Sequence, residues 1–209
     1  MRIIHLFADL CNLYGDYGNV CALKRMLENK GQNVDVEYQS IDDVIDVSGA
    51  DFVFIGSATE RNQKVALEFL QSYKENIKSA LDNGTVILAT GNSFEIFGQS
   101  VTDCDGIKHE GLSFFPYETV EGKERIVTDS LCDTSLCGGD IIGFVNKASL
   151  TTGATSPLFD VKQGSGNGKD DNKEGVHYGN FYGTHLIGPV LIRNPQLCEY
   201  FADMLINKQ

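Results

Sequence analysis

Apolar and polar positions along the first half of the chain follow the pattern of strands separated by helices. Short apolar runs, or runs that alternate at every second residue, predict four strands. Apolar residues that recur every three or four positions predict amphipathic helices between them. The predicted strands cover residues 3–7, 34–38, 51–56 and 86–89, the predicted helices cover 19–30 and 63–81, and one helical turn is expected at 42–47.

The second half has a less regular pattern. Short apolar runs predict strands at residues 111–117, 124–129, 140–146 and 181–186. The segment 163–175 is rich in Gly, Asn, Asp and Lys, which is typical of a solvated loop. A last helix is expected from Pro195 onward, because Asn194 can cap it and proline is favoured at the first helical position.

Three polar loops follow predicted strands, at residues 9–18, 57–63 and 90–93. Strands that alternate with helices predict a parallel sheet, and such sheets bind ligands beyond the carboxyl ends of their strands. We therefore expect the three loops to meet at one crevice. The stretch from Val86 to Gly98 is central, because a strand followed by a sharp turn is where α/β enzymes hold a nucleophile. The residue at the tip of this turn is Gly91, which has no side chain.

The composition suits one globular domain covering residues 1–209. A net charge of -12 argues against nucleic acid as a partner, because phosphate binding needs clustered Lys and Arg. No apolar run approaches the roughly 18 residues of a membrane span. The first residues enter a strand without a signal-peptide pattern, so we expect a cytoplasmic protein.

Six cysteines are scattered along the chain, and we interpret them as free thiols. Cys132 and Cys137 lie five positions apart, a wider spacing than the paired cysteines of a zinc site. We therefore predict no metal site, and the sequence gives no indication of a cofactor.

Several segments match the motifs of one family in their order along the chain. The first is Asn-Leu-Tyr-Gly-Asp-Tyr-Gly-Asn-Val from Asn12 to Val20. The others are Arg61 with Gln63, Gly143 to Asn146, Pro157-Leu158, Glu174 to Val176, Gly183 to Pro189 and Asn194-Pro195. Together they resemble glutamine amidotransferases of the cobyric acid synthase type, and among these the glutaminase subunits of lipid II isoglutaminyl synthases.

This resemblance implies a three-layer, flavodoxin-like α/β fold of the class I glutamine amidotransferases, with a mostly parallel central sheet. It also implies a reaction, in which a Cys thiolate on the turn attacks the side-chain amide of glutamine and a His acts as base and acid. Backbone N–H groups stabilise the oxyanion. The ammonia then passes to a synthetase partner that resembles a Mur ligase.

The chain departs from the family at both catalytic positions. When the motifs are aligned on Gly98, the nucleophile position falls on Gly91, and the His of the motif from Gly183 to Pro189 falls on Ile187. The family's glutamine-contacting Gln falls on Glu95, which would disfavour an anionic group in the pocket. The resemblance places the substrate pocket at Gly56, Ser57, Arg61, Gln63, Asn92, Glu95 and Asn146, where the oxyanion loop is only partly glycine and the family's Asn-His pair reads Asn146-Lys147.

We therefore expect a degenerate partner or regulatory subunit of a Mur-ligase-like or other ATP-dependent synthetase, without glutaminase activity. Two alternatives stay open. The chain is an active amidotransferase or hydrolase in which Ser93 replaces the nucleophile and His185 the base, or it is a module that binds glutamine or another small molecule in the same crevice. A serine nucleophile needs a base within hydrogen-bond reach, so the position of His185 tests the first alternative.

Overall fold

The computed structural model describes residues 1–168 and 171–208. Its strands are β1 (Arg2–Leu6), β2 (Asp35–Gln39), β3 (Phe52–Ile55), β4 (Val86–Thr90), β5 (Ser100–Thr102), β6 (Lys108–Glu110), β7 (Glu118–Asp133), β8 (Ile141–Thr152), β9 (Phe159–Gln163), β10 (Lys173–Glu174), β11 (Val176–Tyr178) and β12 (Phe181–Thr184). Its α-helices are α1 (Tyr17–Asn29), α2 (Glu60–Gln71), α3 (Lys74–Asp82), α4 (Val190–Arg193) and α5 (Pro195–Asn207).

The central sheet has the strand order β11-β12-β4-β3-β1-β2. All neighbouring strands in it are parallel except β11, which is antiparallel to β12. In the register of this sheet, Leu6, Ile55 and Ala89 stand side by side near the carboxyl ends of β1, β3 and β4. The mostly parallel sheet predicted from the sequence is confirmed, and the loops after these three strands begin next to one another.

Two buried clusters cover the opposite faces of the central sheet. Successive residues of a strand point to opposite faces, so Ile4 packs in one cluster and Ile3 in the other. The cluster of Ile4 contains Leu70 of α2 and residues of α3, whereas the cluster of Ile3 contains Leu23 of α1 and residues of α5. Helices therefore cover both faces, which gives the three layers that the family resemblance implied.

A second sheet, in the order β10-β9-β7-β5-β6, contains β8 paired with β7. The long strands β7 and β8 form an antiparallel ladder whose register shifts between Glu121 and Ile126, as at a β-bulge. β8 also contacts the segment that follows β12 of the central sheet, because the Ile187 N–H donates to the Phe144 carbonyl oxygen at 2.9 Å. This contact brings β7 and β8 to the edge of the central sheet where the three loops converge.

The helix predicted at 63–81 is two helices in the structure. α2 ends at Gln71 and α3 starts at Lys74, because Tyr73 leaves helical geometry with φ -114 and ψ 10. Residues 42–47 form no helix, since the side chains of Ile45 and Val47 are buried in an irregular segment. The turn that follows β4 is a 3-10 helix, Gly91–Phe97.

The strand predicted at 111–117 is also absent from the structure, where these residues form a loop. Their backbone groups bond to the chain around the 3-10 helix, with the Leu112 N–H donating to the Ile96 carbonyl oxygen. The strands predicted at 124–129 and 140–146 are parts of β7 and β8. The predicted loop 163–175 contains β10, and residues 169–170 of it lie outside the described residues.

None of the helices within the described residues is both long and apolar enough to cross a lipid bilayer.

Candidate functional site

One buried carboxylate joins the three loops at the edge of the central sheet. Asp16, just before α1, accepts a hydrogen bond from the Ser57 N–H at 2.6 Å and one from the Thr90 hydroxyl at 3.2 Å, both on Oδ2. Burial raises the pKa of Asp16, and these hydrogen bonds oppose that shift. The loops after β1, β3 and β4 therefore converge as the sequence predicted.

A cleft of about 280 Å³ opens beside this junction, between the three loops and the strands β7 and β8. Ser57, Asn92, Glu95 and Asn146, which were predicted for the pocket, line it. The two positions aligned with the family's catalytic residues line it as well. The complete lining is Leu13, Tyr14, Ser57, Ala58, Thr59, Glu60, Gly91, Asn92, Glu95, Glu121, Arg125, Asn146, Lys147, Ala148, Ser149 and Ile187.

Gly91 occupies a backbone conformation and a space that suit only glycine. Its φ is +62, in the left-handed region that disfavours side chains. A Cβ at this position would overlap the Cβ of Ser57 and would lie 3.0 Å from the Ser57 Cα and 3.3 Å from the Ile187 Cγ2. The turn after β4 therefore has no room for a nucleophilic side chain while Ser57 holds its place.

Two backbone N–H groups of the loop after β3 are already hydrogen-bonded within the protein. The Ser57 N–H donates to Asp16, and the Ala58 N–H donates to the Asn92 Oδ1 at 3.0 Å. An oxyanion needs free donors aimed at the place where its charge develops. These two groups are consequently not available to a bound substrate in this arrangement.

Ser93 and His185 lie in separate hydrogen-bonding environments. The Ser93 hydroxyl donates to the Gly56 carbonyl oxygen at 2.5 Å. The His185 ring has its Nε2 at 3.4 Å from a carboxylate oxygen of Glu95 and its Nδ1 at 3.4 Å from one of Glu174. Within residues 1–168 and 171–208 no hydrogen bond joins Ser93 to His185. This geometry gives Ser93 no base and does not favour it as a nucleophile.

Glu95 belongs to a buried polar cluster behind the cleft. Its carboxylate accepts hydrogen bonds from the Ser149 hydroxyl and, at 2.7 Å, from the Gln63 side-chain amide. Burial raises the pKa of Glu95 to about 7, while the donors and the charge of Lys147 oppose the shift. Burial also lowers the pKa of His185 to about 4, against the influence of Glu174.

Lys147 completes this cluster from β8. Its Nζ donates to the carbonyl oxygens of Gly166 at 2.6 Å and Asn167 at 3.0 Å. Burial lowers the pKa of Lys147 to about 8, and the carboxylates of Glu174 and Glu95 counteract this. Glu95 and Lys147 stand where the family pattern has Gln and His, so in one cluster a carboxyl group replaces an amide and an amine replaces an imidazole.

Three of the predicted pocket residues do not line the cleft. Arg61 points away and lies in a separate surface depression with Lys64 and Glu68, because it is on the outer side of the first turn of α2. Gln63 is buried behind the cleft, where its side chain holds Glu95 and the Asn92 carbonyl oxygen. Gly56 lies under the loops, since a Cβ on it would come within 2.9 Å of the Asp16 Cβ.

A chain of polar contacts that the sequence reasoning missed crosses the mouth of the cleft. The Asn146 side-chain amide donates to the Tyr14 hydroxyl at 2.8 Å, and Arg125 donates to the Asn146 Oδ1 at 3.0 Å and to a carboxylate oxygen of Glu60. Tyr14 lies in the motif from Asn12 to Val20, which pointed to the site. The spacing of Arg125 and Glu60 along the chain did not indicate that they belong to the site. The direction of the Arg125 side chain depends on the β-bulge in β7.

No group of three or more His, Cys, Asp or Glu side chains is arranged to hold a metal ion in the part of the chain that the structure describes.

Comparisons with known proteins agree with the motifs and the fold. The sequence model of the CobB/CobQ-like glutamine amidotransferase domain matches residues 2–195. The chain is 30% identical over 203 residues to the lipid II isoglutaminyl synthase (glutamine-hydrolyzing) subunit GatD of Staphylococcus aureus, covering 97% of this chain and 83% of that protein. It is 31% identical to the GatD subunit of Streptococcus pneumoniae, covering 100% of this chain and 82% of the relative.

Solved structures with the same fold are much more distant in sequence. A crystal structure of a glutamine amidotransferase superposes with a TM-score of 0.63 at 12% identity, covering 97% of this chain and 98% of the other. A glutamine amidotransferase from Thermotoga maritima gives a TM-score of 0.58 at 12% identity, and the superposition covers 100% of this chain and 85% of the other. At this level of identity the likeness establishes the fold alone.

Proposed function

Because the chain belongs to the CobB/CobQ-like glutamine amidotransferase family, we propose that it is a subunit that retains the family's fold and has lost the glutaminase reaction. The observation that carries this proposal is the turn at Gly91. The aligned nucleophile position has no side chain, and the overlap with Ser57 leaves no room for one. A thiolate at this position is the group that the reaction requires.

The rest of the cleft supports the same proposal. Ile187, at the aligned His position, is apolar and cannot carry a proton between nucleophile and leaving group. The N–H groups of Ser57 and Ala58 are satisfied internally, so the oxyanion would lack two donors. Each of these features removes a separate part of the reaction, and none of them requires the fold to change.

We propose further that the chain acts with a Mur-ligase-like synthetase as a partner or regulatory subunit. The GatD relatives are named as subunits of lipid II isoglutaminyl synthase, and the alignment with them covers nearly the whole chain. On this proposal the chain works in the cytoplasm on cell-wall amidation. Its six cysteines are free thiols, as expected in a reducing compartment.

Glutamate release from glutamine tests the loss of activity. The purified chain, alone and mixed with the synthetase subunit of the same organism, should release no glutamate above a blank, while an active GatD relative assayed in parallel should. Turnover that disappears on replacing one residue of the turn after β4, for example Ser93→Ala or Asn92→Ala, would overturn the proposal.

A pair of glycine substitutions tests the crowding at the turn. Gly49 has φ +68 with no heavy atom within 4 Å of an added Cβ, so Gly49→Ala isolates the cost of the left-handed backbone, about 1–2 kcal/mol. Gly91→Ala should cost about 1–3 kcal/mol more in urea unfolding, because it adds the overlap with Ser57. Adding Ser57→Gly to Gly91→Ala should restore the additional free energy of unfolding that the overlap costs. Equal losses of stability in Gly49→Ala and Gly91→Ala would contradict the steric argument.

A further inference from the structure

A second cavity, of about 410 Å³, lies on the face of the molecule that α1, α4 and α5 cover. We define the helix groove as the nine residues that line it, five from α1 and four from α4 and α5: Cys21, Ala22, Arg25, Met26, Asn29, Leu191, Ile192, Pro195 and Cys198. None of these nine residues lines the cleft described above. The helix groove is therefore a separate site, and its chemistry does not depend on the glutaminase reaction.

Two rows of side chains on α1 form one wall of the helix groove. Residues four apart lie on the same side of a helix, so Cys21, Arg25 and Asn29 form one row. Ala22 and Met26 form the next row. At 1.5 Å per residue this wall is about 12 Å long, and an extended chain of about ten carbon atoms has a similar length.

The opposite wall is apolar. Leu191 of α4 is almost fully buried, Ile192 is 55% exposed, and Pro195 begins α5. The buried thiol of Cys198 lines the helix groove as well and stays uncharged at neutral pH, because burial raises its pKa to about 12. Removing apolar surface of this kind from water is favourable, so the helix groove favours a hydrocarbon tail.

Arg25 is the one charged residue among the nine. The charged residues beside it pair with one another, Lys24 with Glu28 at 3.7 Å and Lys30 with Glu199 at 3.0 Å. In the part of the chain that the structure describes, no ion pair involves Arg25. A guanidinium that is free of carboxylates, in a protein of net charge -12, favours a ligand with a negative charge at one end.

We propose that the helix groove binds an amphipathic anion, a carboxylate on a linear hydrocarbon tail of up to about ten carbons. The carboxylate pairs with Arg25, and the tail lies between α1 and the apolar wall of α4 and α5. A cavity of about 410 Å³ is in the size range of small-molecule sites.

The size and the charge of the protein select a free acid over other occupants. A stable protein interface takes about 20–30 residues from each partner, whereas nine line the helix groove. The net charge of -12 opposes contact with the anionic surface of a membrane, which attracts basic segments instead. The ligand is therefore a dissolved acid, neither a second protein nor a lipid within a bilayer.

Thiol labelling measures binding at the helix groove. Cys21 and Cys104 are both exposed, and Cys104 is an internal control because it lies between β5 and β6, outside the helix groove. Cys21 precedes Arg25 by about one helical turn, so a molecule bound at Arg25 covers it. Saturating sodium decanoate, kept below its critical micelle concentration, should slow alkylation of Cys21 by iodoacetamide about tenfold. Peptide mass spectrometry should show an unchanged rate at Cys104.

Variants and a shorter acid test the two ends of the ligand separately. Arg25→Gln removes the charge and should raise the decanoate concentration for half-protection of Cys21 about fivefold, and Arg25→Lys should recover most of this loss. Lys24→Gln removes a neighbouring charge outside the helix groove and should change nothing. Hexanoate, whose tail is four carbons shorter, should require at least about tenfold more acid than decanoate.

Each outcome supports or overturns the inference. Protection of Cys21 alone, weakened in Arg25→Gln and kept in Lys24→Gln, supports it. Absence of protection, or equal slowing at Cys21 and Cys104, would overturn the site. Equal protection in Arg25→Gln, or by hexanoate, would overturn the ligand class. If Cys21 does not react in the free chain and the chain sediments as a dimer, a second copy occupies the helix groove and the inference is wrong. Unchanged melting temperatures establish that the variants are folded.

Discussion

At the scale of single residues, Glu95 and His185 face each other inside the protein and respond to pH in opposite ways. The Nε2 of His185 lies 3.4 Å from a carboxylate oxygen of Glu95, and both side chains are almost completely buried. Burial disfavours the charged form of each group, so it raises the pKa of the carboxyl and lowers that of the imidazole. In the wild type the two effects on stability therefore oppose each other across the same pH range.

Removing either residue should reveal the response of the other. In Glu95→Gln, the unfolded chain takes up a proton at His185 below its ordinary pKa of 6.5, whereas the folded chain does so only near 4, so this variant's own free energy of unfolding should rise from pH 4 to 6.5. In His185→Gln, folded Glu95 keeps its proton up to about pH 7 while the unfolded chain loses it near 4.5, so that variant's own free energy of unfolding should fall between these values.

Urea unfolding at half-unit steps of pH measures both slopes. The titration of Lys147 adds no slope here, because burial lowers its pKa only to about 8, above this window. His109→Gln serves as the control, since His109 is only partly buried and pairs with Asp103, which is not a member of the buried cluster. Parallel stability curves for Glu95→Gln, His185→Gln and the control would contradict the opposing shifts.

Single residues also set the limit of what the sequence predicts about the site. The motifs placed Gly91 and Ile187 at the aligned catalytic positions from their spacing alone. The overlap of a Cβ at Gly91 with Ser57 depends on how two loops from different strands approach each other, and spacing along the chain carries no information about that distance. For the same reason, the resemblance placed Arg61 in the pocket, whereas the start of α2 turns its side chain outward.

At the scale of elements, the loops after β1, β3 and β4 are held together by Asp16. Asp16→Ala removes the acceptor of the Ser57 N–H and of the Thr90 hydroxyl, and it leaves a buried donor unsatisfied at a cost of about 1–3 kcal/mol. We expect the Ser57 amide to exchange with deuterium much faster in this variant. Nuclear magnetic resonance detection of amide exchange measures the change residue by residue.

Thr59→Ala is the matched control for the exchange experiment. The Thr59 hydroxyl accepts the Asn62 N–H as the N-cap of α2, so its loss should cost about 1 kcal/mol and speed exchange at Asn62. It should leave Ser57 protected, because the Ser57 acceptor is unchanged. If Asp16→Ala leaves Ser57 as protected as in the wild type, Asp16 does not hold the loops.

The elements predicted best are those whose pattern reflects burial on the central sheet. β3 and β4 are buried at every residue, so their apolar runs identified them clearly. β7 is the opposite case, because Glu121 to Arg125 are polar or lack a side chain, and the strand continues there through a bulge in its ladder with β8. The break between α2 and α3 was missed, since apolar residues continue at helical spacing across Ser72 and Tyr73.

At the scale of the whole molecule, we propose that the two sheets fold as one unit. Cys132, Ile141 and Val145 of the second sheet belong to the same buried cluster as Phe201 of α5. On the other face, the Tyr117 hydroxyl donates to the Phe94 carbonyl oxygen at 2.6 Å and its ring packs in the cluster of α2 and α3. Neither sheet can lose its structure without exposing apolar surface of the other.

Calorimetry of two buried valine variants tests this proposal. Val145 in the second sheet and Val53 in the central sheet are both almost fully buried, and replacing either by alanine should cost about 2 kcal/mol. If the sheets unfold together, each variant shifts one and the same transition downward by several degrees, and the calorimetric and van't Hoff enthalpies stay equal. If Val145→Ala instead splits the transition and leaves an unshifted component, the second sheet is a separate unit. The comparison is direct because the two substitutions remove the same atoms from equally buried positions, one in each sheet.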